Sequence, residues 1–103
     1  MAYEFSALDA TLSAAAGDDP LLHAELRAAF VASARRQVDL LRRSRCDGNW
    51  HMAALRLKAV AASFHAEDLL AMADEALIAA PGEPTIVRLI QEQVDLLERA
   101  GQH

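Results

Sequence analysis

The sequence predicts an all-α protein, an antiparallel four-helix bundle preceded by a short N-terminal cap helix. The chain is rich in alanine, aromatic residues make up only 5% of it, and it has four glycines. This composition suits packed helices better than sheets. Apolar residues recur at spacings of three and four, and the period-two alternation typical of strands is absent. At 103 residues we expect a single domain over 1–103, and tight turns between long helices favour the bundle.

The first helix is expected to be short. Ser6 can cap a helix over 7–15, because a serine hydroxyl accepts a hydrogen bond from an amide of the first turn. Leu8 and Leu12 then lie one turn apart on the same face. The glycine and proline of 17–20 end this helix.

The second helix is predicted to be the longest, over about 20–45. It starts at a strong signal, because Asp19 can cap it and Pro20 suits the first helical position. Its last turns are rich in arginine, which either compensates the helix dipole or forms a basic rim for an acidic partner. The side predicted to face the core consists of Leu22, Leu26, Ala29, Phe30, Ser33, Gln37, Leu40 and Leu41.

Three further helices complete the predicted bundle. After a turn at 46–49, the third should cover about 49–64, and the fourth about 67–79. The glycine and prolines of 80–84 separate the fourth helix from a fifth, which ends near Arg99. The apolar side of the fourth helix is formed by Leu69, Leu70, Met72, Ala73, Ala76 and Leu77, and that of the fifth by Ile86, Leu89, Ile90, Val94 and Leu97.

Charge and composition exclude several functional classes. The net charge is −5 and the pI is about 5.2, which argues against nucleic acid as the main partner. Cys46 is the single cysteine, so an internal disulfide is impossible and a reducing, cytoplasmic location is favoured. No apolar run approaches the roughly 20 residues that span a bilayer. The start of the chain lacks the pattern of a signal peptide. We expect a whole small protein without a membrane partner.

The third helix has two apolar sides. The side with the large residues, predicted to face the core, consists of Trp50, Ala53, Ala54, Leu57, Val60, Ala61 and Phe64. The opposite side consists of His51, Leu55, Lys58, Ala59 and Ala62, flanked by Arg56 and Ser63. A solvated helix face normally carries several charges. This second side is either buried against a neighbouring helix or forms a docking surface, in which Leu55 inserts into a partner while Lys58 and Arg56 pair with acidic groups.

These residues resemble the histidine phosphotransfer (HPt) domain family of bacterial phosphorelays. The motif of that family is His-x-Leu-Lys-Gly, followed by five residues and a second glycine, on one helix of a four-helix bundle. Leu57 and Lys58 match its Leu-Lys pair, whereas Ala59 and His65 stand in place of the two glycines. The resemblance extends over nearly the whole chain, and it implies a receiver domain of a response regulator, or a histidine kinase, as the partner.

One departure from the family's motif changes the expected function. The phosphorylated histidine of the family falls on Leu55, and leucine has no nucleophilic nitrogen. Lys58, which in the family helps to balance the phosphoryl charge, is retained. The resemblance therefore implies a pseudo-HPt module that binds its partner without catalysis or a cofactor.

Two alternatives remain open at this stage. His51 lies one turn before Leu55 on the same side of the helix, so it could act as a displaced phosphoryl acceptor. It is shifted by about 6 Å along the axis, although transfer is sensitive to misplacement of about 1 Å. Alternatively, the apolar strip makes a homodimer. Cys46 and His51 fall far short of a zinc signature, so a loop thiol and a surface imidazole are expected there.

Overall fold

The computed structural model describes residues 2–100, with side chains described from residue 7 onwards. Residues 2–100 form five α-helices and contain no strand, which confirms the all-α class. None of these helices is both long enough and apolar enough to cross a membrane. The helices are α1 (Ala2–Ala16), α2 (Pro20–Arg42), α3 (Asp47–Ser63), α4 (Glu67–Ile78) and α5 (Pro84–Ala100).

The first helix is longer than predicted. It begins at Ala2 and not at residue 7, so Ser6 lies within the helix and does not precede it. The reason is that residues 2–6 contain no glycine or proline to stop a helix. The side chain of Ser6 lies outside the described residues. Leu8 and Leu12 are buried to 0% and 1% exposure, so α1 contributes to the core, as the spacing predicted.

The other four helices enclose a common core. Each helix contacts the next one along the chain, α5 also contacts α2, and α1 packs mainly on α2 with a smaller contact to α4. Buried alanines such as Ala34, Ala54, Ala61 and Ala73 lie among the core residues. Small side chains at a contact allow the helix axes to approach closely. The large residues then fill the remaining space of the core. The largest fully buried side chains are Trp50, Phe30, Leu8, Leu12, Leu41, Leu57, Leu69, Ile90, Leu97 and Val94.

The core-facing side of α2 differs from the prediction. Phe30 and Leu41 are buried as expected, but Leu22 and Leu40 are 37% and 40% exposed. The buried residues of α2 are Arg27, Phe30, Val31, Ala34, Val38 and Leu41. The helix carries apolar residues around most of its circumference, so its spacing fits more than one face. Its contacts with α1, α3 and α5 select the side that is buried.

The ends of α2 show how its sequence sets its length. Asp19 caps the helix, since its Oδ1 accepts hydrogen bonds from the backbone amides of Leu21 and Leu22 at 3.0 and 3.2 Å. The helix ends at Arg42 and not near residue 45. Just beyond it, the hydroxyl of Ser44 donates to the carbonyl of Leu40 at 2.8 Å. This bond occupies a carbonyl that a longer helix would pair with a backbone amide.

The remaining boundaries lie close to those predicted. The third helix begins two residues earlier than expected, at Asp47, and both α3 and α4 end one residue early. Such differences are normal where the last turn of a helix frays. Leu89 of α5 is 38% exposed, so it was wrongly assigned to the core. Ile86, Ile90 and Leu97 are buried as predicted.

A buried arginine, which was not predicted from the sequence, joins three helices. Arg27 of α2 is 8% exposed, and its guanidinium donates to the carbonyl of Leu97 in α5 at 3.0 Å. It also forms an ion pair with Asp9 of α1. Both partners are distant in sequence, so the pairing could not be read from local spacing. Because the guanidinium is paired with a carboxylate and bonded to a carbonyl, its buried charge is compatible with the core.

Candidate functional site

The two sides of α3 are arranged as the sequence predicted. Trp50, Ala53, Ala54, Leu57 and Ala61 are buried, whereas Val60 and Phe64 pack partly buried against the core. On the opposite side, Leu55 is 40% exposed. The other members of that side are also exposed, namely His51, Arg56, Ala59 and Ala62, while Lys58 is half-buried. No helix of the described chain covers this strip, which leaves it open to solvent. We call this surface the α3 strip. It consists of six residues, His51, Leu55, Arg56, Lys58, Ala59 and Ala62, with Leu55 at its centre.

Trp50 fixes the orientation of α3 within the bundle. Its side chain is 2% exposed, and its indole Nε1 donates a hydrogen bond of 2.8 Å to the carbonyl of Ala76 in α4. That carbonyl lies in the last turn of α4, where backbone acceptors lack the usual amide four residues further on, and its backbone partner is the amide of Ala79 at 3.3 Å. The indole therefore both fills the core and caps α4. With this side of α3 anchored, the α3 strip must face outwards.

Lys58 is not an isolated cation. Its Nζ lies 2.9 Å from Oδ1 of Asp74 in α4, and the two side chains are 44% and 52% exposed. An exposed ion pair of this kind contributes only about 0–1 kcal/mol to stability. It does hold the ammonium group on the α4 side of the strip and partly neutralises it. This partner of Lys58 could not be predicted from local spacing, because Asp74 lies 16 residues further along.

The turn that ends α3 holds His65 in an unusual backbone conformation. This residue has a φ of 58°, in the left-handed region that favours glycine. Its amide donates to the carbonyl of Ala62 at 3.2 Å, and the amide of Ala66 donates to Ala61 at 2.9 Å. This pair of bonds is the Schellman motif that commonly terminates helices. Ala66 is fully buried, so the turn also closes onto the core.

Replacing His65 with glycine is expected to stabilise the fold by about 1 kcal/mol. A side chain in the left-handed region costs about 1–2 kcal/mol, and the greater freedom of glycine in the unfolded chain offsets part of that gain. Urea denaturation followed by circular dichroism would measure the change. A His65→Val control should lower stability instead, because β-branched residues tolerate this conformation poorly. Equal stability of the two variants would contradict the assignment of strain to this residue.

A groove between α2 and α3 borders the α3 strip, and the sequence did not reveal it. It has a volume of about 330 Å³. Leu40 and Met52, which face it, are 40% and 48% exposed. Leu40 had been assigned to the core and Met52 to no site. The lining residues are Leu40, Arg43, Ser44, Asn49, Met52, Ala53 and Arg56. Arg56 belongs to both features, so the groove and the strip form one continuous surface.

The arginines at the end of α2 differ in how they are engaged. Arg35 donates to Asp95 at 2.8 Å and to Glu98 at 2.5 Å, both in α5. These hydrogen bonds, to Asp95 above all, raise the pKa of Arg35 above its ordinary value. Arg42 and Arg43 both pair with Asp39 within α2. Arg36 and Arg45 make no ion pair among residues 7–100, so the basic rim predicted from the sequence is only partly neutralised.

The structure gives little sign of metal chemistry around Cys46 and His51. The thiol of Cys46 is free and exposed, and the imidazole of His51 is exposed as well. Within the described part of the chain, no group of three or more His, Cys, Asp or Glu side chains is placed to hold a metal ion.

The arrangement of α3 is suited to protein contact, since it offers small and apolar side chains next to basic ones.

Comparison with known proteins gives no relative for this chain. No protein-family model matches the sequence, and neither curated proteins nor solved structures give a significant match. The assignment of a function therefore rests on the α3 strip, its neighbouring groove and the motif in which they lie.

Proposed function

We propose that this protein is a non-catalytic, HPt-like binding module of a two-component phosphorelay. It would dock a receiver domain or a histidine kinase through the α3 strip. The observation that carries this proposal is the position of Leu55. The residue that replaces the motif's histidine is 40% exposed, at the centre of a strip that no helix of the described chain covers. Single exposed leucines are common on protein surfaces, but Leu55 lies beside the exposed Ala59 and Ala62 in a continuous patch of small and apolar side chains, as is typical of interaction sites.

The arrangement of the helices supports an HPt-like antiparallel four-helix bundle. Consecutive helices from α2 to α5 are in contact, α5 returns to α2, and short turns join them. Such connections favour antiparallel neighbours. Trp50 contacts Ala76, and Lys58, further along α3, contacts the earlier residue Asp74 of α4. The residue numbers of the contacts thus rise along α3 and fall along α4. This direction is the one expected of an antiparallel pair.

The end of α3 supports the alignment of the motif. The second glycine of the HPt motif falls on His65, and that residue adopts the left-handed conformation for which glycine is best suited. A motif aligned one residue earlier or later would place this glycine at Phe64 or Ala66, both of which have negative φ values. The backbone therefore favours the alignment that places Leu55 at the position of the reactive histidine.

The chemistry of the strip suits docking without phosphoryl transfer. Leu55 offers an apolar side chain and no nucleophilic nitrogen, so it cannot form a bond to phosphorus. Ala59 and Ala62 are exposed and small, which would let a partner approach the helix closely. The ammonium of Lys58 is already paired with Asp74. In this proposal the module occupies the docking site of its partner and regulates it by competition.

Replacing Leu55 with aspartate should weaken binding to the cognate partner by at least about tenfold, because it buries a charge in an apolar contact. The binding of receiver domains and histidine kinases from the same genome would be measured by calorimetry. Leu89→Asp is a matched control, since Leu89 lies on α5 and has a similar exposure of 38%. If none of these partners binds, or if both variants bind equally well, the proposal is wrong.

The same samples test the two alternatives, which are phosphoryl transfer through His51 and a homodimer formed through the α3 strip. Incubation with phosphorylated receivers should leave no acid-labile phosphate on the wild-type protein. Phosphohistidine at His51, lost in His51→Ala, would instead show an active phosphotransfer protein. A dimer on size-exclusion chromatography that Leu55→Asp converts to a monomer would identify the strip as a self-association surface.

A further inference from the structure

The charges of this acidic protein are distributed unevenly. The segment 36–58 carries six of the ten Lys and Arg side chains but only two of the fifteen Asp and Glu side chains. This segment covers the last turns of α2 and most of α3, and it contains every residue that lines the groove between them. A basic surface on an acidic protein attracts acidic partners and orients them towards that surface.

Arg56 is the cation that remains available in the groove. Arg43 shares the carboxylate of Asp39 with Arg42, and Lys58 is paired with Asp74. Among residues 7–100, in contrast, Arg56 makes no ion pair. Its side chain is exposed at the edge of the groove. An unpaired guanidinium can bind a carboxylate through two parallel hydrogen bonds, which makes it a specific site for an acidic side chain.

The apolar side chains that line the groove favour a ligand with an apolar group. Leu40 and Met52 are exposed to 40% and 48%, and Ala53 beside them is buried. A volume of about 330 Å³ can admit a large apolar side chain. Methionine adapts its shape to irregular partners and is common at surfaces that bind helices. Met52 also lies one turn before Leu55, so the same partner could contact the groove and the α3 strip.

We propose that the groove binds an acidic, amphipathic segment of the partner protein. A large apolar side chain of that segment would sit between Leu40 and Met52, and a neighbouring carboxylate would pair with Arg56. This inference rests on the proposed function, and it adds the chemical nature of the segment that the partner presents. A nucleic acid fits less well, because apolar walls and a single unpaired cation in the groove offer little to a chain of phosphates.

The test uses a labelled peptide and charge-matched controls. The probe is a fluorescein-labelled peptide of about 14 residues, or about four helical turns, with leucines at helical spacing among glutamates. Binding to the full chain would be followed by fluorescence anisotropy. We expect Arg56→Glu and Met52→Asp each to weaken binding by at least about tenfold. Arg88→Glu is the matched control, because Arg88 is exposed on α5, far along the chain from the groove, and it should leave binding unchanged.

Three outcomes would overturn this inference. They are no binding of the peptide, equal binding of a peptide with glutamine in place of glutamate, and equal binding of a single-stranded oligonucleotide of the same charge. Each leaves the proposed function intact if a receiver or a kinase still binds in a manner that depends on Leu55. Conversely, groove-dependent binding of the peptide without any such receiver or kinase would support the groove while contradicting the phosphorelay assignment.

Discussion

Replacing Trp50 with alanine is expected to lower the free energy of unfolding by about 3–5 kcal/mol. The side chain is 2% exposed, so its removal takes away the largest buried apolar surface and leaves a cavity. It also removes the indole that donates to the carbonyl of Ala76 at 2.8 Å. Because a domain of this size has a total stability of roughly 5–15 kcal/mol, this substitution should remove a large fraction of it.

Urea denaturation would measure this effect. Circular dichroism is the suitable signal, because the variant lacks the single tryptophan of the chain and therefore has no tryptophan fluorescence. Trp50→Phe separates the two contributions. It retains an aromatic ring but removes the indole donor, which leaves the carbonyl of Ala76 with the 3.3 Å bond from the amide of Ala79. Loss of one such neutral hydrogen bond costs about 0.5–1.5 kcal/mol. A loss below about 1 kcal/mol for Trp50→Ala would show that Trp50 does not anchor α3.

The two sides of α3 could be predicted from the sequence because they differ clearly in the size of their residues. Trp50 and Leu57 stand against alanines and single charges, so one orientation buries far more apolar surface than the other. In α2 no such contrast exists, since leucine, valine and phenylalanine occur around most of the helix. The prediction therefore buried Leu40, whereas the structure exposes it at the groove. Tertiary contacts decide between such faces.

The partners of Arg27 and Lys58 on other helices could not be predicted from the sequence. Arg27 binds the carbonyl of Leu97, 70 residues away, and Lys58 pairs with Asp74 on another helix. Neither contact has a local spacing that would reveal it. These pairs matter for the site, because they determine which cations remain available to a partner. Without them, Lys58 and not Arg56 would have been taken as the main charge on this surface.

Restoring a histidine at position 55 should restore phosphoryl transfer. In the variant Leu55→His with Ala59→Gly, the phosphoryl group would pass from the aspartyl phosphate of a docked receiver to the introduced imidazole. An N–P bond forms as the Asp O–P bond breaks, and the imidazole proton leaves to solvent. Position 55 is exposed on the α3 strip. We therefore expect phosphate labelling of the variant at least about a hundredfold above that of the wild type, a factor that correct positioning alone can supply.

Two controls identify the acceptor in that experiment. Leu55→Gln with Ala59→Gly has a polar side chain of similar reach but no nucleophilic nitrogen, so it should remain unlabelled. Adding His51→Ala to the histidine variant should leave the labelling unchanged, which excludes the histidine one turn away. Acid-labile phosphate would be quantified on separated proteolytic peptides. If the receiver binds the histidine variant but no phosphate appears at position 55, the strip is a docking surface that does not follow the HPt geometry. The alignment of the motif is then wrong even though the docking role stands.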